Sequence, residues 1–225
     1  MAGHGGGSEK NLPNVGASAM IEFETPKLWL PVLDFWFEDG LEKGWPSQNM
    51  GQIWFGGSQG LDDTIRERFE VLVEAALWNE LVDWEAKPLT RLGLIILLDQ
   101  FTRNIYRGEA KAFSGDHGAR TLVMEGVARG MDEKLPWVGR VFFYMPLMHA
   151  EDMTLQNESV SCFQRLVEQA PEDIADKVKG NLQFAIEHRE VIERFGRFPH
   201  RNKALGREST EEEKEYLENA KRYGQ

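Results

Sequence analysis

Cysteine is almost absent from this sequence. Cys162 is the single one in 225 residues, so no disulfide can form within the chain and no thiol pair can hold a metal. It lies in an apolar helical stretch and reads as a small buried hydrophobe. Long apolar runs are also missing. Leu92 to Leu98 is bounded by Arg91 and Asp99, too short to span a bilayer. Met1 to Asn11 is Gly-rich and lacks the basic-then-apolar order of a secretory signal, so a cytoplasmic protein is expected. Positive charge is in the minority: 26 Lys and Arg face 37 Asp and Glu, a formal net charge of -11. A chain without cationic surplus is a poor match to a run of phosphates, which argues against extended nucleic-acid binding. Phosphate loops of the Gly-x-x-x-x-Gly-Lys type, dinucleotide fingerprints, serine elbows and His-Glu-x-x-His are all lacking. Strand-length alternation of β-branched and polar residues is lacking too.

What remains is helical periodicity. Residues 1–19 read as a loose Gly-, Ser- and Asn-containing tail, and residues 20–222 as one all-helical domain. Thr25-Pro26 has the form of an N-cap followed by Pro at the first helical position. Residues 45–60 read as a loop anchored by Trp54 and Phe55. Helices are then expected from Asp62, from Pro88, from Asp116, over 136–149 around Pro146, over 155–170 and over 174–195. Ser209 stands three residues before Glu212, the spacing of a capping box, and predicts a last helix. Seven to nine helices joined by short loops imply an all-α fold of antiparallel helix pairs, as a tetratricopeptide-like superhelix or a helical bundle. Six of the seven tryptophans (Trp29, Trp36, Trp54, Trp78, Trp84 and Trp137) are expected to serve as core or groove anchors.

Three polar segments stand out. In the first, Leu97 to Gly108, Asp99 and Arg103 are four apart and can pair on one helical face, with Gln100, Asn104 and Arg107 beside them. These are directional hydrogen-bonding groups rather than the Lys and Glu of a solvated face. They suit either a network that fixes helix packing or a ligand site. In the second, Arg140 and Tyr144 are followed by His149, Glu151 and Asp152. Asp152, or Glu151, is placed to orient the His149 imidazole and raise its basicity, as general-base chemistry requires. A structural His–Asp pair reads equally well. No metal site is expected, because zinc needs about three protein ligands, although Glu151 or His188 could complete one across helices. The third segment, 188–207, holds Arg189, Arg194, Arg197, Arg201, Lys203 and Arg207 against Glu190 and Glu193. Its Arg197, His200, Arg201 and Asn202 could hold an anion, or could bind Asp99, Glu151 and Asp152 of the same chain.

Taken together the three segments resemble the bacterial DUF924 family over roughly residues 27–218. The resemblance rests on Leu98-Asp99-Gln100-Phe101-x-Arg103-Asn104 with Arg107-Gly108, Ala112-Phe113 and Asp116. It continues in Tyr144-Met145-Pro146, in His149-x-Glu151-Asp152, in Arg197 to Asn202, in Leu205-Gly206-Arg207 and in Ser209-Thr210. Thr102 stands where the family more usually carries Pro. The resemblance implies a tetratricopeptide-like helical arrangement with the three segments acting together, and it implies no reaction.

Two main functions follow as expectations. One is a module binding a small anionic molecule or the carboxylate of an acidic peptide, in a groove lined by Asp99, Gln100, Arg103, Asn104, Arg107, Tyr144, Arg197, His200, Arg201 and Asn202. The other is a hydrolase or other acid–base enzyme with His149 as base, Asp152 or Glu151 orienting it, and Arg103 and Arg197 stabilising negative charge. A helical interaction scaffold is a third, to be marked by an exposed apolar groove away from these residues.

Overall fold

Ser58 sets the first long helix. Its side chain accepts the Leu61 backbone N–H at 3.3 Å, satisfying one of the donors that a helix N-terminus leaves unpaired. The helix therefore begins at Gln59, three residues before the expected Asp62, and Asp62 turns inward to 3% exposure. The structure is a computed structural model that describes residues 27–219, with Met1 and Gly3 besides. The Thr25-Pro26 cap and the rest of the expected tail lie outside the described residues.

Among the described residues every α-helix or 3-10 turn is joined to the next without an intervening strand. The helices are α1 (Leu30–Phe37), α2 (Gly40–Lys43), α3 (Gly51–Phe55), α4 (Gln59–Leu77), α5 (Pro88–Ile95) and α6 (Thr102–Ile105). They continue with α7 (Asp116–Ala128), α8 (Trp137–Met148), α9 (Met153–Gln169), α10 (Glu172–Phe195) and α11 (Glu211–Asn219). The count exceeds seven to nine because the expected 45–60 loop contains α3, and because the first and third apolar stretches each divide into two helices. The architecture is all-α, built of packed antiparallel helix pairs, of which α9 with α10 and α8 with α9 are the most extensive.

The core follows from α8. Phe142, Phe143, Tyr144 and Leu147 are all buried in it, and Trp36 of α1 packs edge-on against Phe101 and Phe142 at 5.4 and 5.8 Å. Pro146 sits inside this helix. Just past its end, the Gln156 amide donates to the Met148 and Ala150 carbonyls at 2.7 and 2.8 Å, closing the C-terminus of α8. Trp78 is not a core anchor: it is 75% exposed at the end of α4.

The last helix is capped one residue later than the sequence spacing suggests. Thr210 and Glu213 form the reciprocal pair, with Glu213 N–H donating to Thr210 Oγ1 at 3.1 Å and Thr210 N–H to Glu213 Oε2 at 2.8 Å. Ser209 instead accepts from Asn202 at 3.0 Å. The register is set by Arg197, which grips both oxygens of Glu213 at 2.6 and 2.8 Å.

Candidate functional site

The helix opened by Pro88 does not stay regular. Between α5 and α6, Ile96–Phe101 widens into a π-helical turn, a form found mostly at functional positions. Asp99 lies in that turn, fully buried. Gly115, just before α7, packs onto the same turn so closely that a Cβ there would lie 2.2 Å from the Leu98 carbonyl oxygen. Only glycine admits this approach, and it delivers Asp116 to the neighbourhood of Asp99. The departure at Thr102 is absorbed locally, since its hydroxyl donates to the Leu98 carbonyl at 2.7 Å.

Asp99 holds His149. Both carboxylate oxygens meet the imidazole Nδ1, at 2.9 and 3.0 Å. Gln100 Nε2 donates to Asp99 Oδ2 at 2.7 Å, and the expected Asp99–Arg103 pair is formed at 3.2 Å. Burial alone would push the Asp99 carboxyl up. The His149 and Arg103 charges, with the His149 and Gln100 hydrogen bonds, outweigh it and hold the group well below the usual carboxylate range. Arg103 reaches on to Asp116 at 2.9 Å, and Arg201 meets the other Asp116 oxygen at 3.1 Å. Arg201 also donates to the His149 carbonyl at 2.9 Å, so it sits behind the imidazole's backbone. Burial and the Arg103 charge push Arg201 down to about 10, which leaves it charged at neutral pH.

His149 stands on the wall of a groove of about 330 Å³. Gln100, Arg103, Asn104, Arg107 and His188 share its polar side. Ile53, Trp54, Phe55, Met145, Met148 and Phe184 form the apolar side. Asn104 and Arg107 are both fixed by Asp62, at 2.8 Å for the amide and 2.6 Å for the guanidinium Nε. His188 lies 6.1 Å from His149 between ring centres, and its Nδ1 meets the Phe184 carbonyl at 2.7 Å. Burial, with the charge of His149, pushes His188 down to about 3, so the ring is neutral and its Nδ1 is the donor. Among the described residues no Asp or Glu lines the groove; Asp62, Asp99 and Asp116 lie behind its cationic groups.

The structure therefore divides the expected site. Gln100, Arg103, Asn104, Arg107 and His149 come together on the groove, with Asp99 beneath them. Asp152 does not orient His149. It caps α9, accepting the Leu155 N–H at 2.9 Å, because its backbone lies at the first turn of that helix. Glu151 faces the C-terminal segment, where Arg207 grips both its oxygens at 2.7 and 2.9 Å and Phe198 N–H donates at 2.7 Å. Tyr144 points into the core and donates to Asp132 at 2.5 Å, away from the groove. Arg197 and Asn202 are bound to Glu213, the latter at 3.2 Å. His200 packs on Phe198 at 5.5 Å, outside the groove lining, where burial and the Arg201 charge push it down to about 3. The basic segment thus balances carboxylates of its own chain, Glu151 and Glu213 among them, and contributes His188 to the groove.

Asn181 and Phe184 were not among the sequence candidates, and His188 entered only as a residue that could complete a metal site. Their spacing of three and four puts them on one face of α10, a signal available from periodicity alone. Asp62 carries no comparable signal, because an aspartate in the first turn of a helix reads as a dipole or cap residue. Among the described residues, no group of three or more His, Cys, Asp or Glu side chains is arranged to hold a metal ion.

An all-helical protein with a polar-floored groove beside a buried Asp–His pair is the class that fold and site define. Residues 32–221 match the family described as a bacterial protein of unknown function, DUF924, and the chain belongs to that family. A solved structure titled as a protein of unknown function, ATU0120 from Agrobacterium tumefaciens, is 37% identical and superposes with a TM-score of 0.71. The match covers 86% of this chain and 98% of that one. No curated protein matches the chain.

Proposed function

We propose that the groove binds a small anionic molecule, a carboxylate by preference, with its head against Gln100, Arg103 and His149 and its apolar part against Trp54, Met148 and Phe184. One observation carries this reading: among the described residues of this strongly acidic chain no Asp or Glu lines the groove, whereas the guanidinium groups of Arg103 and Arg107 do, beside His149. Positive groups against a partly apolar wall suit a compact anion with a hydrophobic portion. The test is a thermal shift titration with small carboxylates, inorganic phosphate and acidic peptides. Saturable stabilisation by carboxylates that His149→Gln weakens supports the reading. The absence of saturable stabilisation by any of them overturns it.

A second reading is acid–base catalysis, favoured by the Asp99–His149 contact. A carboxylate on Nδ1 fixes the tautomer and leaves Nε2 as the ring nitrogen for a substrate, the arrangement a general base uses. No Ser, Thr or Cys lines the groove, so His149 would activate water or remove a substrate proton rather than deprotonate a protein nucleophile. Among the described residues, no helix is long and apolar enough to cross a membrane.

A further inference from the structure

The groove does not end at its apolar wall. A second hollow, about 510 Å³, opens on the other side of α3 and shares Trp54, Phe55, Asn181 and Phe184 with the first. Its deeper surface includes Trp45, Met50, Val141 and Phe142. Like the first, it is lined by no Asp or Glu. The two hollows adjoin along Trp54, Phe55, Asn181 and Phe184, with Arg103 and Arg107 in the one beside His149 and a larger apolar share in the one past Trp54. Phe55 and Phe184 stand at the junction at 56% and 42% exposure, a costly place for two aromatic rings unless something covers them.

We propose that the bound molecule is a carboxylate with an extended apolar tail. Its head lies against His149 and Arg103, and its tail passes between Phe55 and Phe184 into the second hollow. This rests on the anion-binding reading of the first hollow and adds the length and polarity of the ligand. Charge favours this direction. Arg103, Arg107 and His149 gather at one end, whereas the second hollow has the single cation Lys177, which lies over the Trp45 ring at 5.4 Å, and its Met50, Val141 and Phe142 wall offers no partner to a charged head. The length follows from the shared lining: a short acid would occupy only the first hollow and leave Phe55 and Phe184 uncovered.

Gly180 of α10 provides the means of testing it. The residue lines the second hollow, and a Cβ there would meet nothing within 4 Å. Gly180→Leu therefore adds an isobutyl group at the lining of the second hollow with room for its Cβ, narrowing the space left for a tail, and leucine is the better helix former. The experiment titrates straight-chain carboxylates from acetate to decanoate into the full chain and into G180L by calorimetry. The expected result for the unsubstituted chain is a rise in affinity of roughly 3- to 4-fold per added methylene, ending where the second hollow is full. In G180L the rise ends several methylenes earlier, while acetate and butyrate bind as before. Equal affinity for butyrate and octanoate would overturn the tail assignment and leave the anion site standing. A rise with length that G180L leaves untouched would place the tail elsewhere and also overturn it. Failure of every acid, short or long, would overturn the anion reading itself.

Discussion

At the scale of single residues, Asp99 is the hinge of the site. It is buried and ionised, and it is shared by His149, Arg103 and Gln100. Removing one charge from a buried ion pair leaves the other without compensation, which typically costs about 3 kcal/mol or more. Asp99→Asn is therefore expected to lower stability by about 3 kcal/mol in urea unfolding, more than the same change at the exposed Asp63. A loss within about 0.5 kcal/mol would mean that Arg103 and His149 do not depend on it. The Asp99–Arg103 pair was legible from a spacing of four. The Asp99–His149 contact was not, because fifty positions separate the two and local sequence offered His149 nearer carboxylates in Glu151 and Asp152. Those two are diverted by their backbone positions: one begins α9, the other meets the returning chain at Phe198. Proximity in sequence pointed to Glu151 and Asp152, whereas the fold sets Asp99 against His149.

At the scale of elements, the π-helical turn and Gly115 belong together. The turn brings Asp99 under the groove, and Gly115 lets α7 close on the Leu98 carbonyl. Gly115→Ala forces a Cβ against backbone, which cannot move as a side-chain tip can. We expect a destabilisation of about 2 kcal/mol or more, with perturbation of Asp116 and hence of the Arg103 and Arg201 contacts. Chemical denaturation of G115A checks it, with G180L as the glycine substitution expected to be neutral or stabilising. The helices themselves were readable, since α7, α8, α9 and α10 each follow an apolar periodicity of 3.6. The π-helical turn was not, because inserting one extra residue into a helical turn leaves no compositional mark. The capping box shifted by one residue for a related reason. Ser209 and Thr210 are equivalent locally, and the choice was made by Arg197 holding Glu213 from another element.

At the scale of the whole molecule, the charge excess of -11 and the cationic groove are one arrangement. Asp62, Asp99 and Asp116 lie behind Arg103, Arg107 and Arg201, and among the described residues no acidic side chain lines the groove itself. That arrangement makes stability depend on pH. His188 and His200 are both pushed down to about 3 in the folded chain, from a usual value of 6.5. Arg103, Arg201 and His149 are the charged or titratable neighbours acting on them. Below pH 6.5 the unfolded chain binds protons that these two folded rings do not, so stability falls as the solution is acidified. Each ring contributes a loss of roughly 1.4 kcal/mol per pH unit until the folded value is approached. Asp99 and Glu151, held low in the fold, add a further loss below about pH 4 as the unfolded carboxylates protonate. Denaturation series at pH 7.5, 6.5 and 5.5 should show a small fall in the midpoint over the first step and a fall about three times larger over the second. The most direct measurement is of the imidazole nitrogens by NMR while octanoate is added. Binding in the groove predicts saturable shifts at His149 and His188, with His117 on α7 unmoved. Saturable binding that leaves His149 and His188 unchanged would contradict it.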